Sequence, residues 1–138
     1  MLPGYEVLQH TSEVEIKLHA PTWPELLAEA GRALSARLWN GRTPPPHGSG
    51  TWRRVELRAG DRAALLVDWL NELLYRAEAE WWVPVEFIVE HASNQEVRAR
   101  VRGMSVATSP AAVKAATLYG VQVVPGPAGL EATVVLDV

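Results

Sequence analysis

DRAALLVDWLNELLYRAEAE, residues 61–80, repeats large apolar side chains at helical spacing. Leu65, Trp69 and Leu73 recur every fourth residue and Leu66, Leu70 and Leu74 run beside them, a wide apolar stripe at the 3.6-residue period. The pattern predicts an amphipathic helix meant for burial. Gly60-Asp61 supplies a stop and an N-cap, because the Asp carboxylate can accept a hydrogen bond from an otherwise unpaired first-turn amide. Glu72 and Arg76 form an i,i+4 pair on the exposed side. Burying six such side chains contributes roughly 1.5 to 3 kcal/mol each before entropy is counted. Pattern alone makes this helix core and says nothing of function.

On either side of it the chain reads as strands, with one more long helix. Residues 5–9 form a short strand, and residues 13–18 a clear one, since Val14, Ile16 and Leu18 alternate with Glu13, Glu15 and Lys17. Thr22 can cap a helix that Pro24 tolerates in its first turn and that runs to about Trp39. Asn40-Gly41 ends it, with Gly41 able to take the left-handed conformation. The tract 42–50, RTPPPHGSG, is a surface loop, because three prolines forbid helix and central strand. Strands follow at 52–58, 83–90, 96–103, 118–124 and 130–138, with turns at HASNQ and PGPAG. Ser109-Pro110 followed by AAVKAA suggests a short helix over 111–116. About seven mostly antiparallel strands with two long amphipathic helices and no repeating crossover imply an α+β fold, in a single domain over 1–138.

Composition narrows the function. The chain has 138 residues and no cysteine, so disulfides and thiolate metal sites are excluded, which suits a reducing compartment. No apolar run approaches the about 20 residues that cross a bilayer, and the N-terminus lacks a signal-peptide pattern, so the expectation is a cytoplasmic protein with no membrane partner. Net charge is −3 and the basic residues are scattered along the sequence, so strong direct nucleic-acid binding is not expected. Eleven of the thirteen basic residues are Arg, which makes Lys17 and Lys114 stand out.

Catalytic signals are sparse. There is no Gly-rich phosphate loop, no nucleophile elbow and no His pair at metal-ligand spacing; His10, His19, His47 and His91 fall in separate segments. Trp81-Trp82 reads as a core anchor with one ring partly exposed. The most informative constellation joins distant segments: Glu13 starts a strand, and Asp137 stands beside Val138 with its carboxylate. If those strands are neighbours, three acidic groups converge as oxygen donors for a hard cation, calcium or magnesium. Taken separately, Glu13 and Asp137 are solvated surface charge and Lys114 a surface lysine of a helix.

Four blocks carry a resemblance. His10-Thr11-Ser12-Glu13-Val14 is similar to an opening His-Thr-Ala-Asp-Val, Trp69 to Tyr75 is an unchanged WLNELLY, Lys114 to Tyr119 is similar to Lys-Ala-Val-Thr-Tyr-His, and Asp137-Val138 to a closing Asp-Val. In order and spacing they resemble the archease family over nearly the whole chain. The resemblance implies a non-catalytic activator of the GTP-dependent tRNA-splicing RNA ligase, promoting guanylylation and multiple turnover of the ligase in tRNA splicing and RNA repair. It implies a divalent metal ion, calcium first with magnesium or manganese as alternatives, on Glu13, Asp137 and Val138, and a role in activation for Lys114. Glu13 stands where the family has Asp, and Tyr119 where it has His. Two alternatives stay open: a small metal-dependent phosphoryl-transfer enzyme built on Glu13, Asp137 and Lys114, and a folding modulator of RNA-modifying enzymes.

Overall fold

The structure is a computed structural model that describes residues 2–40, 50–110 and 113–138. In chain order the elements are β1 (Gly4–Gln9), β2 (Glu13–Ala20), α1 (Trp23–Trp39), β3 (Thr51–Arg58), α2 (Arg62–Glu80), β4 (Trp82–Ala92), β5 (Glu96–Ser105), β6 (Ala115–Gly126) and β7 (Gly129–Asp137). They form two antiparallel sheets, a four-stranded one in the order β1-β2-β7-β6 and a three-stranded one in the order β3-β5-β4. The architecture is α+β with seven antiparallel strands and two helices among the described residues, as the sequence predicts.

Helix α2 forms where the stripe places it. Asp61 caps it in extended backbone, its carboxylate accepting from the Ala64 amide at 2.8 Å. Leu65, Leu66, Trp69, Leu70, Leu73, Leu74 and Ala77 are all buried. Trp69 does more than fill space: its indole Nε1 donates to the Leu27 carbonyl of α1 at 2.9 Å, and its ring meets the edge of Phe87 on β4 at a centroid distance of 6.3 Å. Helix α1 packs on β4 and β2, and α2 on β6 and β4, so both helices hold strands of both sheets to one apolar core. The Glu72–Arg76 pair is made at 2.7 Å but is partly buried, and Arg76 also donates to the Arg54 carbonyl of β3, so it ties α2 to the second sheet. At the end of α2, Trp81 turns the chain in the left-handed conformation at φ 50° and is half-exposed, while Trp82 is buried.

Two local readings meet a different outcome. At the end of α1 the left-handed residue is Asn40 itself, at φ 47°; an asparagine tolerates that region better than most side chains. Gly41 and the proline tract through residue 49 lie outside the described residues. The expected helix over 111–116 is not there in its described part: Val113 and Lys114 are not helical and Ala115 opens β6. Alanine favours helix by only about 0.7 kcal/mol over most ordinary residues, and here the backbone has stronger offers. The Lys114 amide donates to the Asp137 carbonyl at 2.7 Å, and Ala116 is bonded on both sides by Asn71.

The basic residues are less scattered in space than in sequence. Arg53, Arg54, Arg58, Arg98, Arg100 and Arg102 fall on the adjacent strands β3 and β5, but each pairs with a glutamate. Among the described residues, no helix is long and apolar enough to cross a membrane.

Candidate metal and partner site

The site is built at one end of the four-stranded sheet. His10-Thr11-Ser12 turns the chain from β1 into β2, closed by the His10 amide donating to the Glu13 carbonyl at 2.9 Å. Strand β2 then alternates: Val14, Ile16, Leu18 and Ala20 are buried, which leaves Glu13, Glu15, Lys17 and His19 on the opposite face. Strand β7 does the same with Ala132, Val134 and Leu136 inward and Asp137 outward.

Register then decides what meets. β2 and β7 pair so that Glu13 stands directly opposite Asp137. Both side chains are half-buried, and among the described residues neither makes an ion pair or a side-chain hydrogen bond. Directly opposed like charges destabilise a ladder, so the pair is a place where positive charge is wanted. Val138 follows at once, its amide donating to the Ser12 carbonyl at 3.1 Å. On the other side of β7, Ala115 is the register partner of Asp137, and the preceding Lys114 is fully outside the core. The fold therefore brings Glu13, Asp137, Val138 and Lys114 to one end of one sheet, from both ends of the described chain.

The donors suit a hard cation. Two carboxylates from adjacent strands offer oxygen alone, the ligand type of calcium, magnesium and manganese. Among the described residues no three His, Cys, Asp or Glu side chains form a metal cluster, so a site here needs oxygen donors beyond these two carboxylates. His10 lies close by, with its Nε2 3.6 Å from the Glu15 carboxylate.

One supporting residue is not visible as such in the sequence. Asn71, inside the WLNELLY run, uses its Nδ2 to donate to the Ala116 carbonyl at 3.0 Å and its Oδ1 to accept from the Ala116 amide at 2.8 Å. It behaves as one residue of an extra strand along the free edge of β6 and so fixes the segment that carries Lys114. The available signal is a lone amide beside the apolar stripe of an otherwise buried helix. A depression of about 660 Å³ lies at the other end of the same sheet, lined by Tyr5, Glu6, Lys17, His19, Glu131 and Thr133 among others, and contains none of the four site residues.

Comparison with known proteins bears on the family and the fold. The chain is similar to a protein archease of Methanosarcina mazei, 34% identical over 104 residues, which is 72% of this chain and 68% of that protein. Its fold is similar to the solution structure of protein 1598 of Methanobacterium thermoautotrophicum, with a TM-score of 0.78 at 23% identity, covering 98% of this chain and 99% of that one. It is also similar to the crystal structure of an archease of Thermotoga maritima, described as a possible chaperone, with a TM-score of 0.60 at 19% identity over 95% of this chain and 94% of that one. The archease protein family (MTH1598/TM1083) matches residues 5–138, and the chain belongs to that family.

Proposed function

We propose that this chain is a non-catalytic activator of a GTP-dependent tRNA-splicing RNA ligase, an accessory protein that promotes guanylylation of the ligase and its repeated turnover. Family membership supports the reading, and the in-register opposition of Glu13 and Asp137 next to Lys114 carries it, because it turns three separate sequence blocks into one exposed polar site. Net charge of −3 fits a partner surface built to hold RNA.

Glu13, Asp137 and the Val138 carboxylate are the residues that would hold a divalent cation, with calcium as the first candidate and magnesium or manganese next. When bound, such a cation would offset the repulsion of the two carboxylates. Lys114 adds a second positive group there, fixed at its backbone by the Asp137 carbonyl and free at its side chain, where a partner carboxylate or a nucleotide phosphate can meet it. The contribution is positioning: aligning nucleotide and nucleophile lowers a phosphoryl-transfer barrier without a covalent step on the activator.

The test is single-turnover transfer of labelled GMP to the ligase encoded in the same genome, with parent and Lys114→Ala protein. The parent raises the rate, hydrolyses no nucleotide alone, and loses most of its effect in the variant although the variant folds normally. Equal stimulation by both removes Lys114 from the reading, and no stimulation by folded parent removes the activator. A folding modulator is the second reading, favoured by the description of the similar Thermotoga maritima protein as a possible chaperone. The same assay separates it, since a chaperone raises the yield of active ligase on refolding and leaves the turnover of folded ligase unchanged.

A further inference from the structure

Strand β6 does not run evenly beside β7. Thr117 faces Val135 and Gln122 faces Thr133, so residues 118–121 stand out of the ladder against Val134 alone. Bulges of this kind re-aim side chains and interrupt pairing at sheet edges, and β6 is an edge strand. This one is built rather than slack. The Thr117 Oγ1 accepts from the Tyr119 amide at 3.0 Å and sits 3.4 Å from the Tyr119 carbonyl, to which it donates. Gly120 supplies the left-handed backbone at φ +73°, where a side chain would be strained. The base of the bulge is held by Asn71 through Ala116.

The product of that construction is two large side chains in water. Leu118 is 64% exposed and Tyr119 82% exposed. A lone exposed apolar residue needs no explanation, but these two are adjacent, presented by a fixed turn, and lie beside the polar site. Val135, the partner of Thr117, is two residues from Asp137 on the same face of β7, and a Cβ on Gly120 would lie 4.0 Å from its Cγ2. The bulge thus borders the row that contains Glu15 and the next row that contains Glu13 and Asp137. Tyrosine is one of the residue types enriched at protein-binding hot spots, and here Leu118 extends the apolar area beside it next to a charged rim.

We propose that Leu118 and Tyr119 are the apolar anchor of a docking surface for a protein partner, whose matching surface is an apolar socket bordered by cationic side chains. The cations are argued from charge: Glu13, Glu15 and Asp137 outnumber Lys114 at this end, and the whole chain carries −3, so that a divalent cation at the carboxylates would neutralise this end and still leave the chain as a whole negative. The partner's identity as the RNA ligase rests on the proposed function, whereas the docking role of the bulge does not require that the chain stimulate that partner. Anchoring and activation are then separate jobs, with the bulge setting affinity and Lys114 setting the rate of the bound complex.

Calorimetric binding of the parent, Tyr119→Ser, Tyr119→Phe and the Leu118→Ser/Tyr119→Ser double variant to that ligase, together with the half-saturating concentration and maximal rate of GMP transfer, tests this. All variants should keep the parent's denaturation midpoint, because both side chains are exposed. The double variant should bind at least about tenfold more weakly and raise the half-saturating concentration by the same factor with little change in maximal rate. Tyr119→Phe should stay near the parent, since the ring and not the hydroxyl is the anchor, and Lys114→Ala should show the opposite split, a lower maximal rate at similar affinity. Equal affinity of parent and folded double variant overturns the proposal, as does a loss of maximal rate without a loss of affinity. If the parent binds without stimulating, the activator reading fails while weaker binding of the double variant still upholds the docking surface; if the parent does not bind, both fall.

Discussion

Glu13 and Asp137 are an ordinary pair of acids until the register of β2 and β7 sets them face to face with no cation between them among the described residues. That opposition makes a definite demand in solution. Titrating calcium, magnesium and manganese into the protein by calorimetry should show one divalent ion bound with an oxygen-ligand preference, and Asp137→Ala should abolish or strongly weaken it. A parent that binds none of the three, or a variant that binds as well, removes the metal from this site. The acids themselves are legible in the sequence, since each stands at the end of an alternating run, but their meeting is a property of strand order, which no local pattern encodes. Lys114 is a case where the pattern misleads. Its alanine-rich neighbourhood asks for a helix, and the hydrogen bond from its amide to Asp137 together with the grip on Ala116 makes an edge strand instead. Local propensity is a weak prior, and two or three tertiary hydrogen bonds override it.

At the scale of elements, α2 joins the stability of the fold to the shape of the site. Its stripe is legible because seven of its buried side chains repeat with the helical period, and its start because Asp61 caps as expected. Asn71 is legible as a letter and not as a function, for what it grips lies 45 residues away. Replacing it by leucine keeps the forked shape at Cγ and removes both bonds, which leaves the Ala116 amide and carbonyl without the partners they have in a partly buried place. Unsatisfied groups of that kind cost about 1 to 3 kcal/mol each. The Asn71→Leu protein should therefore unfold at a measurably lower denaturant midpoint, and its Ala116 and Lys114 amides should exchange with solvent much faster than the parent's in a hydrogen-exchange measurement. Unchanged protection at Ala116 would show that β7 alone holds this end of β6. The bulge at 118–121 has no helical or alternating signature either, because it is defined by a mismatch with Val134 on another strand.

For the molecule as a whole, Trp69 is where the layers are fastened: its ring fills the core against Phe87 of one sheet and its indole N–H reaches the backbone of the other helix. Truncating it opens a cavity and removes the indole hydrogen bond to the Leu27 carbonyl. Trp69→Ala should cost about 3 to 5 kcal/mol, a large share of the 5 to 15 kcal/mol or so that a domain has, and chemical denaturation should show either a much lower midpoint or no cooperative transition. A midpoint close to the parent's would mean that the two helices and the sheets hold together without this fastening. The side-by-side placement of β2 and β7 at the centre of the four-stranded sheet has a consequence for synthesis. On the ribosome, a nascent chain can gather both helices and the three-stranded sheet from nearby segments, while Glu13 waits for the last strand in order to arrive from the tunnel. Contacts so distant in sequence form late. An unfinished chain that still lacks β7 accordingly lacks the acidic pair altogether, whatever else of the fold has formed.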